Sequence, residues 1–290
     1  MHYAAFQSVD SPADFLDTIG LVLDQGFEVV ELSSMLGRDR LERASELIKA
    51  RGGTLFLSAG PEFVRTPRSL CDLRTDVRVA TIQRAQELIE LARSLGAANL
   101  MLVSGADPGM GDRVKARAAL ADSLRQIVEY ARARPGPRLT LETFARERPP
   151  GQLLGPTTET LTLLDELGAG EVGVTVDLSH LVQLGENAET AATLLARRST
   201  HVHLSTCVLA SGHPLDGDQH PSFDEPGITL SLDAAAVALR AFAGTDAVVS
   251  VEIRRHHDEL PDAFTRTCAR YWRSAVGKPL RAQDEAHFAP

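Results

Sequence analysis

Short apolar runs rich in β-branched residues alternate with longer amphipathic stretches along the whole chain. This alternation is typical of repeated strand-helix units arranged around a parallel sheet. We predict eight strands, each followed by a helical stretch. The predicted strands cover residues 3–7, 27–32, 54–58, 99–103, 139–143, 173–177, 201–205 and 247–253.

The helical stretches between these runs carry start and stop signals. In the first of them, Ser11 can cap the helix, Pro12 suits its first turn and Gly26 can end it. The two longest stretches cover residues 77–95 and 113–134. Eight strand-helix units in a chain of this length predict an α/β fold, a single (β/α)8 TIM barrel, because a doubly wound sheet usually needs fewer strands.

The barrel is predicted to occupy residues 1–277, with a polar tail at residues 278–290. Two segments rich in proline and glycine, 147–156 and 211–227, each follow a predicted strand. In a barrel of this kind the loops that follow the strands form the catalytic face. We therefore interpret both segments as parts of a site rather than as boundaries between domains.

Composition narrows the class of protein. The chain has 290 residues, of which 43% are hydrophobic, enough for a large buried core. No apolar stretch approaches the roughly 20 residues that span a bilayer, and the first residues lack a basic region followed by a hydrophobic core. Three cysteines without a C-x-x-C spacing fit a reducing compartment. We expect a cytoplasmic protein without a membrane partner.

The formal net charge of −9 argues against nucleic acid as a partner, because neutralisation of phosphates usually dominates that affinity. Local basic clusters nevertheless follow three predicted strands. Arginine can grip a small anionic group there, or the same residues are solvated loop charges. The clusters are Arg65 with Arg68, Arg146 with Arg148, and Arg254 with Arg255.

Four residues at successive strand ends have side chains of the types that bind metal ions: Glu142, Asp177, His203 and Glu252. They fall at the ends of the fifth to eighth predicted strands. Barrel strands alternate inward and outward, so one residue from each strand can aim at a common point, where a cation offsets the cost of three carboxylates. Oxygen and imidazole donors suit one divalent ion such as Mn²⁺, Mg²⁺, Co²⁺ or Zn²⁺.

The order of these residues along the chain resembles that in the xylose isomerase-like TIM barrel superfamily of sugar phosphate isomerases and epimerases, which includes endonuclease IV. The resemblance covers nearly the whole chain and includes a V-D-x-x-H segment at residues 176–180. It implies that Glu142, Asp177, His203 and Glu252 bind the metal. It also implies that His180 contacts the substrate, supports a ligand, or binds a further metal as in the nuclease branch.

The segment 218–220, Asp-Gln-His, followed by Gly227, resembles a D-x-H…G segment of the nuclease. This resemblance keeps open a second metal bound by His180, Asp218 and His220. The nuclease branch, however, has ligand histidines at the ends of the third and fourth strands, where this chain has none. In single-metal relatives the loop lies near the substrate, so we favour His220 as a substrate contact.

Our first functional hypothesis is a divalent-metal-dependent isomerase or epimerase of a small sugar or polyhydroxylated carbonyl compound. Proton transfer would pass through a metal-stabilised enediolate, with Glu142 and Glu252 acting from opposite faces. The alternative is a metal-dependent hydrolase or nuclease of the endonuclease IV type with two or more metals. A third class is a non-catalytic binding protein or a lyase-like specialist that kept the barrel and changed the chemistry, and the retention of both glutamates argues against lost catalysis.

Several other positions are open at this stage. Arg254 shares strand parity with Glu252 and is predicted to reach the mouth and bind a carboxylate or phosphate of the substrate. Glu31 and Ser33 either contact the substrate or are structural. The histidines at 256 and 257 are better explained as an exposed loop pair than as ligands. Relatives often pair through the barrel rim, which makes a homodimer an expectation from resemblance alone.

Overall fold

The computed structural model describes residues 2–4, 15–168, 170–256 and 258–277. Eight parallel strands form a closed barrel in chain order, and the last strand pairs with the first. The predicted (β/α)8 TIM barrel is confirmed. The strands are β1 His2–Ala4, β2 Val29–Ser33, β3 Thr54–Ser58, β4 Asn99–Val103, β5 Arg138–Glu142, β6 Gly173–Asp177, β7 Ser199–Leu204 and β8 Val248–Val251.

Helices connect the strands and surround the barrel. They are α1 Phe15–Asp24, α2 Arg38–Ala50, α3 Gly60–Arg65, α4 Thr75–Leu95, α5 Arg113–Arg132, α6 Thr157–Leu167, α7 Leu178–Gln183, α8 Ala188–Leu195, α9 Leu232–Leu239 and α10 Pro261–Val276, with 3-10 turns at Ser34–Leu36 and Arg240–Phe242. Within the described residues, none of these helices has the length and apolar character needed to cross a membrane.

Small shifts separate the predicted elements from the observed ones. The second strand begins at Val29, because Phe27 packs in the core without joining the sheet ladder. The eighth strand ends at Val251, one residue before Glu252. The predicted cap at Ser11 and Pro12 and the polar tail at 278–290 lie outside the described residues, as does His257.

The long helices show why the apolar pattern indicated them. In α4, Ile82, Leu88 and Ile89 recur at helical spacing and are buried against the barrel. The helix ends at Gly96, whose φ of 67° is left-handed and lets its backbone N–H reach the carbonyls of the last turn. The predicted end at residue 95 is therefore observed.

The inward-facing residues of β5 to β8 form two polar layers. The lower layer contains Thr140, Thr175, His201 and Ser250, and each lies two residues before one of the four predicted metal ligands. Thr175 Oγ1 donates to Thr140 Oγ1 at 2.9 Å, and His201 Nε2 lies 2.6 Å from Ser250 Oγ. This hydrogen-bonded layer lies directly under the four predicted ligands.

Two long loops cover the mouth of the barrel above these two layers. The segment 147–156 folds back on β5, where the Phe144 backbone N–H donates to the Leu154 carbonyl at 3.0 Å. Arg148 Nη1 of this loop donates to Asp216 Oδ1 of the loop after β7 at 3.0 Å. The two segments rich in proline and glycine are thus joined to each other over the mouth.

Candidate metal centre and its cavity

The four predicted ligands converge at the carboxyl ends of β5 to β8. Their ligand atoms all lie within 4.8 Å of one another, and all four residues are buried. His203 Nδ1 lies 2.6 Å from Glu252 Oε2, 3.3 Å from Glu142 Oε1 and 3.6 Å from Asp177 Oδ2. The closed barrel therefore brings together three carboxylates and one imidazole from four separate strands.

The donor set fits a divalent cation. Among the described residues, Asp177 Oδ2 and Glu252 Oε2 are buried without a hydrogen-bond donor, and the short contact between His203 Nδ1 and Glu252 lacks hydrogen-bond geometry. Buried polar atoms are nearly always satisfied in folded proteins, so atoms of this kind fit a site that binds a cation. One nitrogen and three oxygens suit the borderline and hard ions expected from the sequence.

The buried carboxylates around His203 need positive charge close to them. Burial raises the pKa of Glu142 to about 7, although His203 opposes the rise. Burial lowers the pKa of His203, but the carboxylates of Glu252 and Glu31 raise it more, so it lies well above its ordinary value. A proton on His203 thus neutralises part of the buried negative charge. A divalent cation can supply the same neutralisation and displace that proton.

Glu31 contacts the other side of the His203 ring. Its Oε2 lies 3.2 Å from His203 Nε2 and 3.3 Å from His201 Nε2, and Glu31 is buried. A carboxylate at Nε2 favours the tautomer that leaves Nδ1 as an electron-pair donor toward the other ligands. The sequence left Glu31 open between a substrate contact and a structural role, and the structure places it as a support for His203.

Replacing Glu31 by alanine is expected to weaken metal affinity by about 10- to 100-fold, because His203 loses the acceptor that orients its ring. Glu31→Gln should lose less, since the amide oxygen still accepts from Nε2. Calorimetric titration with Mn²⁺ measures both. Ser33→Ala is the control, because Ser33 is buried on the same strand and, among the residues that the structure describes, its hydroxyl accepts from the Met35 backbone N–H in the turn that follows. Equal affinity in Glu31→Ala and wild type would contradict this role.

A second cluster lies beside the ligands. Asp218 Oδ1 lies 2.8 Å from His180 Nε2 and 3.0 Å from His220 Nε2. His180 Nδ1 lies 2.7 Å from the Thr143 carbonyl, so both ring nitrogens of His180 face acceptors and the ring is a doubly protonated donor. Burial opposes this charge, but Asp177 and Asp218 hold the pKa of His180 well above its ordinary value.

The other two members of this cluster are charged for related reasons. Burial raises the pKa of Asp218, but His180 and His220 lower it more, and the net shift is downward. Burial lowers the pKa of His220, but Glu252 and Asp218 raise it more, to about 9. Asp218 is therefore an ion-paired clamp that holds two imidazolium rings at the cavity wall.

A cavity of about 820 Å³ opens above the four predicted metal ligands. Glu142 and Glu252 line its floor, whereas Asp177 and His203 are fully buried beneath it. Gly60 also lines it, and a Cβ there would lie 3.1 Å from Met101 Cε and 3.6 Å from Glu142 Oε2. The wall adds apolar and polar side chains, namely Pro61, Val64, Met101, Phe144, Pro149, Pro150, His180, Asp218, Gln219 and His220.

The structure shows which of the six arginines in the basic clusters line the cavity and which are held by other residues. Arg146 is held by Glu159 and by the Leu153 carbonyl, and Arg68 by Glu62. Arg148 pairs with Asp216 of the neighbouring loop. These three serve the loops. The remaining three, Arg65, Arg254 and Arg255, line the rim of the cavity together with His256.

Two residues near the site were missed by sequence reasoning. Phe144 lines the cavity and stacks on the His180 ring, with ring centroids 4.2 Å apart. His201 lies under His203 in the lower polar layer, where burial holds its pKa well below the ordinary value. Its strand parity with His203 was the available signal, because residues two apart face the same side of a strand. No comparable signal identified Phe144.

Comparison with known proteins agrees with this geometry. The profile described as Xylose isomerase-like TIM barrel matches residues 19–275. A search of curated protein sequences found no match.

Several solved structures share the fold at low sequence identity. A D-tagatose 3-epimerase-like protein is 17% identical with a TM-score of 0.74, and 95% of this chain and 97% of that chain are covered. The IOLI protein with a bound zinc atom is 15% identical with a TM-score of 0.75, with 95% and 97% covered. D-psicose 3-epimerase from Clostridium cellulolyticum H10 is 16% identical with a TM-score of 0.68, with 95% and 96% covered.

Proposed function

Because this chain belongs to the xylose isomerase-like TIM barrel family, we propose that it is a divalent-metal-dependent isomerase or epimerase of a small sugar or another polyhydroxylated carbonyl compound. One observation carries the proposal: Glu142, Asp177, His203 and Glu252 converge within 4.8 Å below an open cavity. The sugar epimerases among the structures with this fold support the substrate class. Mn²⁺, Mg²⁺, Co²⁺ and Zn²⁺ are the candidate ions.

The two cavity-lining glutamates are proposed to move the proton. Glu142 lies on the first and Glu252 after the last of the four ligand-bearing strands, so they approach the cavity from two sides. A bound cation would polarise the substrate carbonyl and acidify the neighbouring C–H. One glutamate removes that proton and the other returns it. Return to the same carbon from the opposite side inverts the centre, whereas return to the neighbouring carbon isomerises the sugar.

His180 and His220 are proposed to bind the substrate hydroxyl and carbonyl oxygens. Both rings line the cavity, and Asp218 keeps both in the charged, donating form. Phe144 supports the His180 ring and belongs to an apolar wall with Val64. Such a wall limits water at the reacting carbon, which strengthens hydrogen bonds and proton transfer there.

The second candidate function is a hydrolase with two or more metals. One observation favours it, because donor atoms of Asp177, His180 and His220 also lie within 4.8 Å of one another. The ends of β3 and β4 oppose it, since they present Ser58 and Ser104 where the nuclease branch has ligand histidines. Asp218 Oδ1 already contacts both rings, 2.8 Å from His180 Nε2 and 3.0 Å from His220 Nε2, so this oxygen is engaged without a second cation.

Metal stoichiometry separates the two candidates. We expect one metal per chain in protein purified without chelator, and no loss of it in an Asp218→Ala, His220→Ala double variant. Elemental analysis measures the metal, and NMR measures deuterium uptake from D₂O into a panel of ketoses and aldoses. Two or more metals that fall with the double change, together with phosphodiester cleavage, would place the hydrolase first.

A further inference from the structure

The rim of the cavity has the opposite charge from its floor. Arg65, the last residue of α3, and Arg254, two residues after Glu252, both line the cavity and are exposed. The floor presents the carboxylates of Glu142 and Glu252. A substrate in this cavity therefore meets acidic groups at one end and guanidinium groups at the other.

Arg65 faces the cavity on a fixed support. Its neighbour Glu62 is buried and engaged elsewhere, since Arg84 Nε donates to Glu62 Oε1 at 2.7 Å and Ser34 Oγ donates to Glu62 Oε2 at 2.7 Å. Arg68 also pairs with Glu62. These contacts anchor α3 to its surroundings. Among the described residues Arg65 forms no ion pair, so its charge remains available to a ligand.

Arg254 is anchored without being neutralised. Its Nη1 donates to Gln219 Oε1 at 2.6 Å, and its backbone N–H donates to the His220 carbonyl at 2.7 Å. Gln219 is an uncharged amide, so the positive charge of Arg254 is not balanced by this contact. Gln219 and His220 lie in the same loop. The contacts of Arg254 with both residues therefore link its position to that of His220, whose ring is proposed to bind the substrate.

The carboxylates that line the cavity are already engaged. Asp218 is shared by His180 and His220, and Glu142 and Glu252 surround His203. Arginines at the neighbouring loops contrast with this rim, because Arg146 and Arg148 each pair with a carboxylate. Two guanidinium groups without a neutralising carboxylate therefore distinguish the rim of the cavity, about 820 Å³ in volume, from the neighbouring loops.

We propose that the substrate carries an anionic group, a carboxylate or a phosphate, and that Arg65 and Arg254 bind it at the rim. This inference rests on the proposed function for the floor. Guanidinium groups bind either anion by charge-assisted hydrogen bonds. The carboxylates of the floor repel the anion, which orients the substrate with its carbonyl end toward the metal ligands and its anionic end toward the rim.

The test uses matched sugars that differ in charge. Binding to metal-loaded protein is measured by calorimetry for D-ribulose and D-ribulose 5-phosphate, D-fructose and D-fructose 6-phosphate, and D-galactose and D-galacturonate. We expect the anionic member of at least one pair to bind at least tenfold more tightly than its neutral partner. Preference within the phosphate pairs or within the galacturonate pair identifies which anion the rim selects.

Variants assign the preference to the rim. The Arg65→Ala, Arg254→Ala double variant should lose the anion preference, so that the two members of each pair bind with equal affinity. The matching lysine double variant should keep part of it, because charge is retained while the bidentate geometry is lost. Arg240→Ala is the control for loss of an arginine outside the site, since Arg240 is exposed at the C-terminal end of α9, away from the cavity.

The outcomes distinguish this inference from the proposed function. Deuterium uptake into neutral sugars, with no anion preference in any pair, would overturn the inference and leave the proposed function standing. Anion binding that needs Arg65 and Arg254, without deuterium uptake into any tested sugar, would support the inference and count against the proposed function. Unchanged anion binding in the alanine double variant would also overturn the inference.

Discussion

Glu252→Gln is expected to lower conversion of the substrate by roughly 100- to 10,000-fold, the range attributed to a positioned acid-base group. Glutamine keeps the length of the side chain and one coordinating oxygen, but it cannot accept the proton. The measurement is NMR detection of product and of deuterium uptake from D₂O. Metal content, determined in the same samples, separates lost proton transfer from lost metal.

The variant pair Glu142→Gln and Glu252→Gln distinguishes the two reactions. In an epimerase each glutamate faces one side of the inverted carbon, so each variant should still exchange deuterium into one epimer while converting neither. In an isomerase that uses one glutamate for both transfers, only one variant should lose activity by this factor. Glu259→Gln, in the segment that precedes α10, is the control. Full activity in both Glu142→Gln and Glu252→Gln, with metal still bound, would eliminate the proposed mechanism.

Asp177→Ala is expected to abolish metal binding at micromolar metal, a loss of affinity of at least about 100-fold, which exceeds the range known for residues that only support a ligand. Asp177 is fully buried beneath the cavity floor and contributes an oxygen close to His203 Nδ1. Metal saturation stabilises a folded protein by about 2.7 kcal/mol at 100 times the dissociation constant. Thermal unfolding with and without Mn²⁺ should therefore show an upward shift in wild type and none in the variant.

A structural role of Asp177 must be separated from this effect. Its Oδ1 caps α7 by accepting from the His180 backbone N–H at 3.0 Å, and Ser205 Oγ also donates to it at 2.7 Å. Loss of such a cap costs about 1 kcal/mol. Asn187→Ala is the matched control, because Asn187 caps α8 in the same way, away from the ligands. It should lower the unfolding temperature and keep the metal-induced shift; loss of that shift in Asn187→Ala would contradict the assignment.

The strands of the barrel were predictable because each is a short apolar run bounded by loop residues. The predicted ranges 54–58, 99–103 and 173–177 coincide with β3, β4 and β6. Closure of the barrel follows from the number of units, and closure brings the ends of β5 to β8 together. The convergence of the four metal-site candidates was therefore available from the order of motifs and strand parity alone.

Contacts between distant parts of the chain were not predictable in the same way. Glu31 and His203 lie 172 positions apart and on strands that are not neighbours, so only the curvature of the barrel interior reveals their contact. The roles of Arg65 and Arg146 depend on the paths of the loops. One faces a cavity and the other is captured by Glu159, although both follow a strand in the same sequence setting.

The paired layers inside β5 to β8 divide the molecule into a part that tolerates changes of length and a part that does not. Insertion of one residue within β5 would turn Glu142 away from the barrel axis, because strand parity reverses at every position. The segments 147–156 and 211–227 begin beyond the strands and are free of that constraint. Loop grafting should therefore change the wall of the cavity, and with it the substrate of the proposed enzyme, while the positions of Glu142 and Glu252 are kept.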